Sequence, residues 1–216
     1  MSKPHGRHGP RFGRAGAALI FAASGLLYAA GVATAAEETK ADAVAELAGV
    51  VCSGCHGGGG VSKSPMFPRL AGQQEIYLAS QLRAFKSKSR TDPEANNYMW
   101  GMATLVNDDM VDAFAHYYAS LPPPPGIPGD PKLVEEGRLL FERDVPDRGI
   151  VACSGCHGSN AEGRDTYPRL AGQHAAYIVR QLQVMQRRLR TSAAHGMVKD
   201  LRPDEIKAVA VYVQSR

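Results

Sequence analysis

The sequence predicts an all-α protein made of two small helical units in tandem, and three observations carry the prediction. No alternating apolar and polar run of strand length appears in the 216 residues, whereas apolar stripes of helical period recur. Cys52-Ser53-Gly54-Cys55-His56 returns 101 residues later as Cys153-Ser154-Gly155-Cys156-His157. Phe67-Pro68-Arg69-Leu70-Ala71-Gly72-Gln73 returns 100 residues later as Tyr167-Pro168-Arg169-Leu170-Ala171-Gly172-Gln173.

The chain opens with Lys3, Arg7, Arg11 and Arg14 and no acid, followed by an uncharged stretch over residues 15–36. A basic start, an apolar run and the small-x-small site Ala33-Thr34-Ala35 read as an export signal over 1–36. The apolar run also reaches the roughly 20 residues of an uncleaved membrane anchor. All but 4 of the 25 basic residues, and all 21 acidic ones, lie beyond the signal, so the mature chain is balanced. The pI of 8.9 therefore gives no warrant for nucleic-acid binding. Up to Leu121 the mature chain has 7 bases and 10 acids, and after it 14 bases and 11 acids, so its halves carry −3 and +3.

Residues 40–51 place Val44, Leu47 and Val51 on one stripe, a helix running into the first C-S-G-C-H motif. In a helical turn, residues i, i+3 and i+4 share a face, so two thiols and an imidazole converge on one flat ligand. That ligand is haem: the thiols of Cys52 and Cys55, or Cys153 and Cys156, form thioethers, and His56 or His157 binds the iron. Structural zinc would need two C-x-x-C pairs roughly 15–20 residues apart. A thioredoxin-like pair would need a βαβ setting, and two disulfides would leave both histidines unexplained. Export agrees with haem attachment, which happens outside the cytoplasm, and all four cysteines are consumed by it. Each unit has about 80–95 residues, a size at which a large apolar cofactor usefully enlarges the core.

After His56, Gly57 to Gly60 allow a sharp turn. In the paired heptapeptides, a carbonyl at or near Pro68 and Pro168 is the candidate partner for the second ring nitrogen of each histidine. Helices follow at 76–87 and 176–188, with Leu78, Leu82 and Phe85 matching Ile178, Leu182 and Met185, the last read as core. Lys86, Lys88 and Arg90, like Arg187, Arg188 and Arg190, suit helix C-termini. Each unit closes with a last helix. The first has Asn107 as N-cap and Met110, Phe114 and Tyr117 on its apolar face, the second Pro203 at its first position and Ile206, Val209 and Val213 inward. A stiff Pro-rich linker at 122–131 separates units at 37–121 and 132–216. His116 and His174 have no motif around them and read as surface residues.

With both C-S-G-C-H motifs, both P-R-L-A-G-Q segments and terminal helices ending near Tyr117 and Tyr212, residues 40–216 resemble the dihaem cytochrome c4 family. The resemblance implies two cytochrome c folds packed across a pseudo-twofold, each a small bundle around a covalently attached haem. It implies a one-electron carrier per haem in the bacterial periplasm, often membrane-associated. Its partners would be redox proteins: a terminal oxidase, a dehydrogenase or a bc1-type complex. It also implies His/Met iron, with Met99 in the first unit. Counting back from the tyrosines sets Ala194 opposite Met99; anchoring on Leu105 and Leu201 sets His195 there. Met99 and Met197 are therefore the expected sixth ligands, with Met102 a rival in the first unit and His195 or an open position in the second. Two other readings stand beside the carrier: a haem subunit of a larger dehydrogenase or oxidase, and a dihaem peroxidase-like enzyme with one exchangeable iron position.

Overall fold

The computed structural model describes residues 39–190 and 195–216, with only the backbone of His195. The export signal, Ala194 and the side chain of His195 lie outside the described residues. Helix α1 spans 39–47 and widens into a π-helical turn, Ala48–Cys52, that delivers the first motif on α2, Ser53–His56. Val44 and Ala48 are its buried positions, while Leu47 packs against them half-covered. The heptapeptide leads into α3, Glu75–Lys86; then come a π-turn, Ala95–Met99, α4, Trp100–Ala103, and α5, Val111–Ser120. The second unit repeats the order with α7, Ser154–His157, α8, Ala175–Gln186, α9, His195–Val198, and α10, Pro203–Gln214. Among the described residues there are no strands, only the isolated bridges Val145–Ile150 and Arg164–Tyr167.

One helix was not anticipated. Pro131–Glu142 forms α6, the counterpart of α1, with Asp130 accepting from the amides of Lys132 and Leu133 and Pro131 in its first turn. The Pro-rich segment therefore ends one residue earlier than its composition implies, and it is pinned rather than free, since Ile127 N donates to Gln214 O. Helix α6 crosses α10 so closely that a Cβ on Gly137 would lie 2.1 Å from the carbonyl oxygen of Ala208.

Helix α5 buries Val111, Phe114, Ala115 and Tyr118 rather than the stripe through Met110 and Tyr117, which stay half-covered. The reason is that Asn107, which makes no side-chain capping bond, precedes a separate 3₁₀ turn, Asp108–Met110, which rotates the following helix relative to a continuous one. The first unit has an apolar cluster around Phe114 and Tyr118, and the second has one around Phe141 and Tyr212 and another around Ile150, Leu201 and Ile206. At the ends of α3 and α8, Lys88 and Arg188 take left-handed backbone, φ 56° and 58°, closing both helices. Arg90 and Arg190, expected to face the helix ends, turn inward and are 7% exposed each. None of the helices among the described residues is long and apolar enough to cross a membrane.

Candidate functional site

Short helices α2 and α7 present each C-S-G-C-H motif on a single turn, as the spacing requires. The Nδ1–H of His56 donates to Pro68 O at 2.9 Å, and that of His157 to Pro168 O at 2.8 Å. A backbone carbonyl accepts but never donates, so it holds the proton on Nδ1 and leaves the Nε2 lone pair for a metal. Burial lowers both imidazole pKa values below the ordinary range, which keeps the rings neutral. Phe67 packs edge-on to His56 and Tyr167 edge-on to His157, at 6.3 and 6.2 Å between ring centres.

The four cysteines are unpaired with one another. Burial raises the Cys52 thiol and pushes that of Cys153 up to about 11, so neither is poised as a thiolate. The buried Tyr118 hydroxyl stands beside the Cys52 thiol. Free thiols one helical turn from a neutral histidine whose outer nitrogen is already engaged form the donor set of a c-type haem, and the residues fit that group in both units.

The methionines are placed unequally. Met99 ends the π-turn and is half-buried, Met102 on α4 is 45% exposed, and Met197 on α9 is half-buried. Backbone bonds give the register between units. Gly72 N donates to Tyr118 O as Gly172 N donates to Val213 O, and Val106 N to Ala103 O as Leu201 N to Val198 O. Helices α4 and α9 thus correspond at an offset of 95, so Met197 stands where Met102 stands and Ala194 precedes α9 as Met99 precedes α4.

The heptapeptides do more than hold histidines. Gln73 Oε1 accepts from Arg169 N and its Nε2 donates to Arg169 O, while Gln173 does the same with Arg69, at distances from 2.6 to 2.9 Å. This reciprocal clasp joins the two units directly behind the two histidine-bearing carbonyls. A second junction gathers Arg90, Arg190, Gln81, Gln181 and Tyr77: Gln181 accepts from both guanidiniums, and Arg190 reaches Tyr77 and Gln81. His174, expected at the surface, is 5% exposed, and its Nε2 donates to Ser62 O across the same junction; His116 is exposed and pairs with Glu75. The repetition of Gln73 and Gln173 in identical contexts was the sequence signal for the clasp.

Residues 41–122 and 134–216 each match the family Cytochrome c. The chain is 36% identical to cytochrome c4 of Azotobacter vinelandii over 91% of its own length and 94% of that protein. It is 38% identical to the thiosulfate dehydrogenase electron acceptor of Thiomonas intermedia, over 68% of each. The crystal structure of reduced cytochrome c4 from Pseudomonas stutzeri superposes with a TM-score of 0.72 at 35% identity, covering 81% of this chain and 97% of that one.

Proposed function

The chain belongs to the dihaem cytochrome c4 family, an electron carrier with two covalently bound haem c groups, and from that premise we propose its compartment, partners and ligands. It works in the periplasm, an address supported by the basic-then-apolar start of the sequence and by thioether attachment outside the cytoplasm. A dehydrogenase donates to it and a terminal oxidase accepts from it. The similarity to a thiosulfate dehydrogenase electron acceptor supports the donor side. It carries electrons without transforming a substrate of its own.

The observation that carries this reading is the doubled motif, with each histidine bonded through Nδ1 to a proline carbonyl. Cys52 and Cys55 would tether the first haem and Cys153 and Cys156 the second, with His56 and Met99 as the ligands of the first iron and His157 and Met197 as those of the second. The haems supply reversible one-electron chemistry. The protein residues orient the imidazoles, exclude water and set the basicity of the ligands. A carbonyl accepting from Nδ1–H makes the imidazole a better donor through Nε2. The Gln73 and Gln173 clasp ties the two histidine-bonding segments to one another.

A potentiometric titration of the purified protein, followed optically, tests the reading. Two one-electron waves from two haems per chain are expected. A single haem, or substrate turnover without a partner protein, would overturn it.

A further inference from the structure

In the first unit, the segment that carries Met99 is anchored at both ends by one buried pair. Asp92 is fully buried, and its carboxylate accepts from Arg90 Nε at 2.6 Å and Nη2 at 3.3 Å. The same carboxylate accepts from Ala95 N at 3.3 Å, and Asp92 O accepts from Asn96 N at 3.1 Å. With Pro93 next in sequence, Asp92 is the cap of the helical stretch that begins at 93 and contains the π-turn Ala95–Met99. At the far end, Trp100 Nε1 donates to Arg90 O at 2.9 Å. Arg90 is itself held by Gln81 of its own unit and Gln181 of the other. A π-turn is an uncommon insertion into a helix, often found at functional sites, and here both flanks of Met99 are tied to one residue pair.

The second unit differs in sequence at these points. Arg190 corresponds to Arg90, but Ser192 stands in the place of Asp92 and His195 in that of Trp100, and the segment between them is five residues shorter.

We propose that Asp92, with Arg90 and Trp100, is a positioning residue that holds the Met99 turn against the first haem. The second iron, with Ser192 and His195 at the places of Asp92 and Trp100, gives up its methionine first to a small exogenous base. This rests on the His/Met reading above. Rigid anchoring matters because displacing a methionine requires its segment to swing away, and every bond that must break first weakens the incoming ligand by the same free energy.

Imidazole titration of the oxidised holoprotein, followed by the sulfur-to-iron charge-transfer band, provides the test. In the wild type the band should fall in two equal halves, the first at low imidazole. Met197→Ala should abolish the early half and Met99→Ala the late one. Asp92→Asn keeps the size of the side chain but removes its charge. It should move the late half to about tenfold lower imidazole, the equivalent of one lost buried hydrogen bond to a charged group. The early half, the haem count and the far-ultraviolet dichroism should stay as in the wild type. Trp100→Phe, which removes only the far anchor, should move the late half the same way and decides the matter if Asp92→Asn fails to fold. A late half that stays at its wild-type midpoint in the folded variants overturns the positioning role. A wild-type protein with two haems and no such band overturns the methionine reading instead, and the proposal with it.

Discussion

His174 shows how one residue can be misjudged from its neighbours alone. Burial lowers the pKa of its imidazole below the ordinary 6.5; the bond to Ser62 O opposes this, and the guanidiniums of Arg69 and Arg180 lower it further. A histidine whose native pKa is depressed stabilises the fold fully above its unfolded value and loses that contribution as pH falls through the native value. The thermal midpoint should therefore drop as pH falls below about 6.5, the unfolded value. In His174→Gln, which keeps a donor for Ser62 O without a titrating ring, the drop should shrink. Equal pH dependence in the two proteins would rule out this residue as the source.

At the scale of elements, the contact between α6 and α10 depends on a missing side chain. A methyl at Gly137 would meet the Ala208 carbonyl at 2.1 Å, a backbone atom that cannot rotate aside. Gly137→Ala should thus cost about 1–3 kcal/mol by overpacking, despite the gain in helix propensity. Chemical denaturation would show it as a fall in midpoint, and an unchanged midpoint would mean that the helices slide apart freely. The paired heptapeptides form an element of another kind, an inter-unit fastener. Gln73→Ala and Gln173→Ala each remove two hydrogen bonds to half-buried backbone, for about 1–3 kcal/mol per variant. We expect calorimetry of the double variant to resolve two unfolding transitions where the wild type has one; a single transition at the wild-type temperature would refute a fastening role.

For the whole molecule, residues 37–121 carry −3 and residues 122–216 carry +3 before the haem propionates are counted, so the two halves differ in sign along the chain. Steering by such charges acts on encounter rates and is screened beyond about 8–10 Å at ordinary salt. Electron-transfer rates with the native donor and acceptor should both change from low to high ionic strength. Rates that stay flat with both partners would exclude steering by these charges.

What the sequence determined by itself was chemistry within a turn or along a stripe. Two thiols and a histidine at i, i+3 and i+4 specify their ligand because helical geometry brings them together wherever the helix sits. The stripe of Ile206, Val209 and Val213 likewise identified a buried helix face, and all three are buried. The proline carbonyls were found because a metal-bound histidine needs such a partner and only one repeated segment offered it. Helix α6 escaped notice because its start lies inside the Pro-rich segment, whose composition reads as linker until Asp130 is recognised as a cap. The tertiary structure alone decided the contacts between units. Arg90 and Arg190 looked like solvated helix ends, and His174 like a surface residue, until docking of the two units covered them. Nothing local distinguishes an arginine that will meet a glutamine about 90 residues away from one that meets water. The same holds for the register that sets Met197 opposite Met102, which depends on where paired backbone bonds fall rather than on which residues flank the sulfur.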